Sequence, residues 1–187
     1  MKKACFFAVV FLLFSWTQIA AQNSASAQAV EISFSYTKQR GFYSNQFAVW
    51  IEDHSGNLVK TLFVTKFTAT GGWSKRGLAV PVWVQKSGIS TLDKKDIDVF
   101  SGATPRAGLL SYRWNGTDKN GVSVPRGAYR VFLEATLKED NRVLYSADFT
   151  LGSGAGSVTE AQVKTEYFGN KPDNRGMITN VKVTYKP

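Results

Sequence analysis

Cysteine and histidine are almost missing from this chain. Its 187 residues hold one of each, Cys5 and His54. Cys5 lies inside an N-terminal apolar run, too early in it to serve as a lipoprotein acceptor. Once that run is removed, no disulfide, thiol chemistry or cysteine metal site is left. His54 sits in the turn cluster Asp53-His54-Ser55-Gly56-Asn57 with no second histidine or cysteine beside it. A solvent-exposed turn residue is the expectation, not a catalytic base or a metal ligand. Long apolar stretches are scarce too. The run from Ala4 to Trp16 is too short for a good transmembrane span, and nothing later could cross a bilayer. Hydrolase signatures are missing as well, with no GxSxG and no histidine–carboxylate pair placed by a motif. Gly152 to Ser157, GSGAGS, lacks the Gly-Lys-Ser/Thr ending of a phosphate-binding loop and reads as a flexible connection. Asp118 and Asn120 lack the spacing and terminal glutamate of a calcium-binding loop. No catalytic residue and no metal ligand is therefore assigned.

The leader supplies an address. Lys2 and Lys3 precede the apolar run, and a small-residue stretch follows it, as in a cleaved export signal. Cleavage after Ala21 or after Ala27 fits, which leaves residues 28–187 as one domain in the periplasm or outside the cell. Formal net charge is +9. Lysines and arginines are scattered singly or in pairs such as Lys75-Arg76 and Lys94-Lys95. That is the pattern of a solvated surface, and a nucleic-acid partner is not expected.

Aromatics are plentiful at 13% of residues, which favours strands. Val30, Ile32, Phe34 and Tyr36 alternate with polar or small residues in a half-buried strand. Gln46 to Glu52 and Leu58 to Val64 form a hairpin around the His54 turn. Pro81 suits the first turn of a short helix connecting two sheets. Ser87 to Lys95 reads as a polar loop. Leu109 to Trp114 is a strand, and Val124-Pro125-Arg126-Gly127 is a type I turn. Beyond it Tyr129, Val131, Leu133 and Ala135 face one way, and Arg130, Phe132 and Glu134 the other. Val143 to Leu151 returns. Val158 to Phe168 and Met177 to Tyr185 make a C-terminal hairpin. Strands at such spacing predict an all-β protein, a β-sandwich.

Three resemblances add to this reading. Trp114-Asn-Gly-Thr-Asp118-Lys-Asn120-Gly121, followed by Val124-Pro125-Arg-Gly127-Ala-Tyr129, resembles the immunoglobulin-like domain of flagellar hook-capping proteins. It implies an immunoglobulin-like sandwich, and a fold rather than an activity. Phe47-Ala-Val-Trp50-Ile-Glu-Asp, Val59-Lys-Thr-Leu62, Ser101-Gly-Ala-Thr-Pro105 and the Trp114 to Tyr129 unit together resemble a predicted periplasmic family, domain of unknown function 2271. This resemblance spans about Val30 to Gly152, and implies a setting shared with exported flavin and membrane redox components.

Asp98-Val99-Phe100-Ser101-Gly102-Ala103-Thr104 resembles the flavinylation motif of exported redox proteins. In those proteins a metal-dependent FAD:protein FMN transferase esterifies the motif threonine to the phosphate of FMN. The resemblance implies covalent FMN on Thr104. Gly102 and Ala103 would keep the backbone slim inside the transferase. Ser101 belongs to the motif, and Asp98 would order the segment or the transferase metal. Arg106 would pair with the phosphodiester. Phe100 or Tyr112 would stack on the isoalloxazine ring. The implied function is an electron carrier or accessory subunit of an extracytoplasmic flavin-linked system, not a free-standing enzyme. Its partners would be the transferase and a membrane redox component. Two alternatives stay open: an interaction or structural module without a cofactor, and a carbohydrate-binding sandwich using Trp50, Trp73 or Trp83.

Overall fold

Period-two burial organises the first strand. β1 (Ala29–Tyr36) buries Val30, Ile32, Phe34 and Tyr36 to within 1% of full exclusion, as its alternation requires. The computed structural model describes residues 29–40, 45–137, 141–152, 157–169 and 175–186, so both candidate cleavage sites lie outside the described part. The hairpin β2 (Gln46–Asp53) and β3 (Leu58–Thr65) forms as expected. Asp53 accepts from the amides of Ser55 and Asn57 and closes its turn, and His54 is exposed at the tip.

The remaining strands are β4 (Ser101–Gly102), β5 (Gly108–Trp114), β6 (Gly127–Thr136), β7 (Arg142–Leu151), β8 (Thr159–Ala161), β9 (Lys164–Phe168) and β10 (Ile178–Lys186). Two sheets pack as a sandwich. One has the order β5-β1-β10-β8, the other β4-β3-β2-β6-β7-β9. The pairs are antiparallel except β3 with β4. Between the sheets lies the main core, which includes Phe34, Phe47, Val49, Ile51, Val131, Leu133 and Val183. One region of it is aromatic, with Trp114 against Tyr129 and Phe149, and Phe149 against Tyr185.

The Trp114 to Tyr129 unit is turn chemistry. Trp114 Nε1 donates to the Thr117 carbonyl, and Asp118 Oδ1 accepts from the amides of Asn120 and Val122. The Tyr129 hydroxyl donates back to the Pro125 carbonyl at 2.7 Å. This is the corner by which a tyrosine near a strand's start pins the loop before it in many β-sandwiches.

Two features depart from the pattern read in the sequence. The stretch Val158 to Phe168 is not one strand of a hairpin. β8 pairs with β10 in the first sheet and β9 pairs with β7 in the second, so the chain changes sheets at Gln162-Val163. The second departure is larger. The segment between β3 and β4 does not simply bridge two sheets; it lies on the outer face of the six-stranded sheet. It comprises a turn (Thr68–Gly72) kinked by non-helical backbone at Thr70 and Gly71, α1 (Trp73–Lys75), α2 (Pro81–Ser87), a 3-10 turn (Ile89–Thr91) and α3 (Lys94–Phe100). Ser87 to Lys95 thus contains a 3-10 turn and the start of a helix, not merely a loop.

This helical layer closes a second core. Ala69, Val80, Trp83, Ile89 and Ile97 pack against Ala48, Trp50 and Val64, with Phe132 and Leu144 at the margin. Over β2 the six-stranded sheet is thereby covered on both faces, and for that reason every residue of β2 before Asp53 is buried.

Polar groups stitch the layer to the sheet. Val80 has φ 47° and ψ 60°, a left-handed conformation that strains a β-branched residue by roughly 1–3 kcal/mol. Pro81 disfavours the right-handed alternative at that position, and Val80 N–H donates to Thr136 Oγ1 at 3.0 Å. Thr136 donates in turn to the Leu78 carbonyl. The next amides, of Val82 and Trp83, donate to the carboxylate of fully buried Glu134 at 3.3 and 3.0 Å. Glu134 therefore satisfies orphan donors at the start of α2 from across the sheet.

Candidate functional site

The segment from Asp98 to Arg106 is not one loop. Asp98, Val99 and Phe100 form the last turn of α3, and Ser101-Gly102 pair with Val64-Thr65 of β3. Ala103 to Ala107 then run outside helices and strands to β5. Asp98 is exposed, Ala103 and Arg106 are exposed, and Thr104 is half-buried. Among the described residues no group hydrogen-bonds the Thr104 hydroxyl, and it is not a buried atom. Arg106 has no ion pair among the described residues.

Ser101 and Gly102 have packing roles. Ser101 Oγ is buried without a hydrogen-bond partner. A Cβ on Gly102 would stand 2.7 Å from Phe63 Cε2, well inside contact distance. Gly102 therefore lets β4 approach the Phe63 ring, a reason for glycine that is independent of any modifying enzyme.

Both rings expected to stack on a flavin already have partners. Phe100 meets Trp83 edge-on at 6.2 Å in the second core. Tyr112 packs with Phe63 at 5.0 Å and with Phe34 at 6.1 Å, and burial pushes its hydroxyl well above the usual tyrosine range. The tryptophans proposed for sugar stacking are likewise committed. Trp50 is wholly buried, stacked on Phe132 at 5.0 Å, and donates to Glu52 Oε1. Trp83 is wholly buried and donates to Thr61 Oγ1 at 3.0 Å. Trp73 is half-buried against the second core. No pair of exposed tryptophan faces remains among the described residues, which removes the sugar-platform expectation.

Beside the α3 turn lies a groove of about 1010 Å³. Leu58 to Leu62 of β3 form one wall, and α2 and α3 contribute Lys86, Val99 and Phe100. Arg113 of β5 and the Asp118 to Asn120 turn close the other side. Lys86 is anchored, donating to Glu52 Oε2 at 3.1 Å and to the Gly56 carbonyl at 2.6 Å. Lys60 donates to Thr117 Oγ1 across the rim. Four cations, Lys60, Lys86, Arg113 and Lys119, face the two carboxylates Asp96 and Asp118. The sequence showed these residues but not their convergence, because they come from β3, α2, α3, β5 and a turn.

A family model described as "Predicted periplasmic protein (DUF2271)" matches residues 27–168. The chain belongs to the DUF2271 family. The match covers the helical layer, the groove and both sheets except β10, and runs past the Val30 to Gly152 resemblance through β8 and β9. The family description agrees with the export signal read at the N-terminus, and places this DUF2271 protein in the periplasm. No curated protein and no solved structure matches the chain. Among the described residues no helix is long and apolar enough to cross a membrane, and no cluster of histidine, cysteine and carboxylates would hold a metal.

Proposed function

We propose that this DUF2271 protein carries FMN esterified to Thr104 and serves an extracytoplasmic redox system as an electron carrier or accessory subunit. The observation that supports this reading is the state of Thr104. Its hydroxyl has no hydrogen-bond partner among the described residues and lies on the irregular segment just after β4, where an enzyme can engage it without opening either sheet's core.

In the modification the Thr104 oxygen attacks the FMN-side phosphorus of FAD. A new oxygen–phosphorus bond forms, the pyrophosphate bond breaks, AMP leaves, and the hydroxyl proton passes to a base of the transferase. The metal of the FAD:protein FMN transferase offsets the charge of that displacement. Arg106, exposed two residues on, would pair with the resulting phosphodiester. Phe100 and Tyr112 would keep their places in the protein core, so a tethered ring would find other surface. Once attached, FMN supplies one- and two-electron transfer. Its partner in the periplasm would be a membrane redox component.

The test is the intact mass of the mature protein co-expressed with an FMN transferase, beside a Thr104→Ala control. A gain equal to FMN less water, absent from the control, is expected. An unmodified mass in both, or the same gain in the control, would refute the assignment. A second reading, an interaction module without a cofactor, is favoured by the packing of Gly102 on Phe63, which explains part of the motif without any flavin.

A further inference from the structure

The groove has one wall unlike the others: a strand edge. β3 pairs with β2 along one side, but on its other side only Val64 and Thr65 are paired, with Ser101 and Gly102 of β4. From Leu58 to Phe63 no strand is hydrogen-bonded to that second side among the described residues, although β5 approaches it and the pairing with β2 shifts register twice along this stretch. Five of those residues, Leu58 to Leu62, line the groove. At about 3.3 Å per residue this is roughly 17 Å of open edge, enough to receive a strand of five residues. Unpaired backbone groups along such an edge are a template for another chain.

The groove also selects. Lys86 is neutralised by its ion pair with Glu52, and Lys60, Arg113 and Lys119 still outnumber Asp96 and Asp118. Asp118 already accepts two backbone amides, and among the described residues no side chain pairs with Arg113 or Lys119. Val99, 84% exposed, and half-buried Phe100 add an apolar strip on the α3 side. A positive rim, an apolar strip and an open strand edge suit one kind of occupant: an extended peptide whose alternate residues are acidic and apolar.

We propose that the edge of β3 is a docking site for an extended acidic segment of a partner protein, added to the six-stranded sheet as a further strand in line with β4. Main-chain hydrogen bonds to Leu58–Phe63 would give affinity, and Arg113 and Lys119 would choose acidic over basic sequences. The site is independent of Thr104, so it stands whether or not the threonine is modified.

The experiment measures binding of a fluorescent decapeptide alternating valine and glutamate to the full mature protein by anisotropy. Three comparisons accompany it: a valine–lysine decapeptide, the valine–glutamate peptide N-methylated at alternate amides, and the Arg113→Glu/Lys119→Glu double variant. Both substituted residues are exposed, and circular dichroism checks that the variant is folded. Each comparison should weaken binding by about tenfold or more, since each removes two or more charge contacts or main-chain hydrogen bonds. Amide hydrogen exchange should slow at Leu58–Phe63 when the valine–glutamate peptide binds. No binding of the valine–glutamate peptide would overturn the proposal. Equal binding of the N-methylated peptide would reduce the site to a charged surface and overturn it as well. Displacement of the peptide by free FMN at the same groove would assign it to a flavin instead. Concentration-dependent dimerisation that protects the same amides without peptide would assign the edge to a second copy of this chain.

Discussion

Glu134 offers the sharpest test of how the helical layer is held. Its side chain is fully excluded from solvent, and its carboxylate accepts from Val82 N–H, Trp83 N–H and Arg142 Nη1, the last at 3.1 Å. Burial raises its pKa, and those three donors oppose the rise without cancelling it. Glu134→Ala would deprive the Arg142 guanidinium, 20% exposed and stacked over the Phe168 ring, of its carboxylate, together with two helix-start amides. Breaking a buried pair by removing one partner costs about 3–5 kcal/mol. Against a typical domain stability of about 5–15 kcal/mol that is a large fraction. Glu134→Gln should cost less. Its amide oxygen can keep Val82 and Arg142, but its NH2 then faces the Trp83 amide. One unsatisfied buried donor costs about 1–3 kcal/mol.

The pH dependence gives a second readout with a definite sign. The folded pKa of Glu134 lies above its unfolded value, so the folded protein binds this proton more tightly. The contribution of this group is therefore fully present below the ordinary glutamate range, about 4.3. It declines as pH rises from there through the raised folded value, and is constant above that. Urea unfolding across this interval, on wild type and Glu134→Gln, isolates the slope. The wild type should lose stability with rising pH relative to the variant, whose amide does not titrate. A Glu134→Ala cost below about 1 kcal/mol, or identical pH slopes for wild type and Glu134→Gln, would refute the view that a buried carboxylate caps α2.

Two further substitutions probe the sandwich itself. Gly102→Ala should cost about 1–3 kcal/mol by crowding the Phe63 ring, which is packed on Phe47 and Tyr112 at 5.0 Å and cannot swing freely; an unchanged midpoint in thermal melting would show that the ring gives way. Tyr129→Phe should cost about 1 kcal/mol by removing the hydroxyl that holds the Pro125 carbonyl. Urea unfolding measures it, and a loss indistinguishable from zero would make the corner dispensable.

The sandwich was legible because its strands keep period two. β1 and the Tyr129 to Ala135 face of β6 bury the residues their alternation selects. The helical layer was not legible, for a physical reason. Its helices are at most seven residues long, and its buried side chains, from Ala69 to Ile97, are too dispersed to sustain a 3.6-residue period. Such short helices hold only through tertiary contacts, here Glu134, Thr136 and Trp50 of the sheet beneath. One signal did point to the layer. Phe47-Ala48-Val49-Trp50-Ile51 is apolar on both faces, and a strand that is apolar on both faces needs a cover on each. Phe132 and Glu134 read as the opposite face of β6, and only the layer shows that this face is interior. The groove was illegible because five separate elements build it.

Gly102 is where fold and function can be pulled apart. If the glycine serves only to admit β4 beside Phe63, Gly102→Ala should lower stability, and any modification of Thr104 should fall only as far as the folded fraction does. If it also keeps the backbone slim for a transferase, modification should fall further than the loss of folded protein explains. Phe63→Leu supplies the control, because a smaller side chain makes room for the new methyl while leaving the motif's backbone bulk unchanged. A Gly102→Ala/Phe63→Leu double variant should recover part of the stability lost in Gly102→Ala, through the coupling expected of neighbours in contact. If it recovers modification to the same extent, packing is the whole reason for Gly102. If stability returns and modification does not, the residue answers to an enzyme as well as to the core.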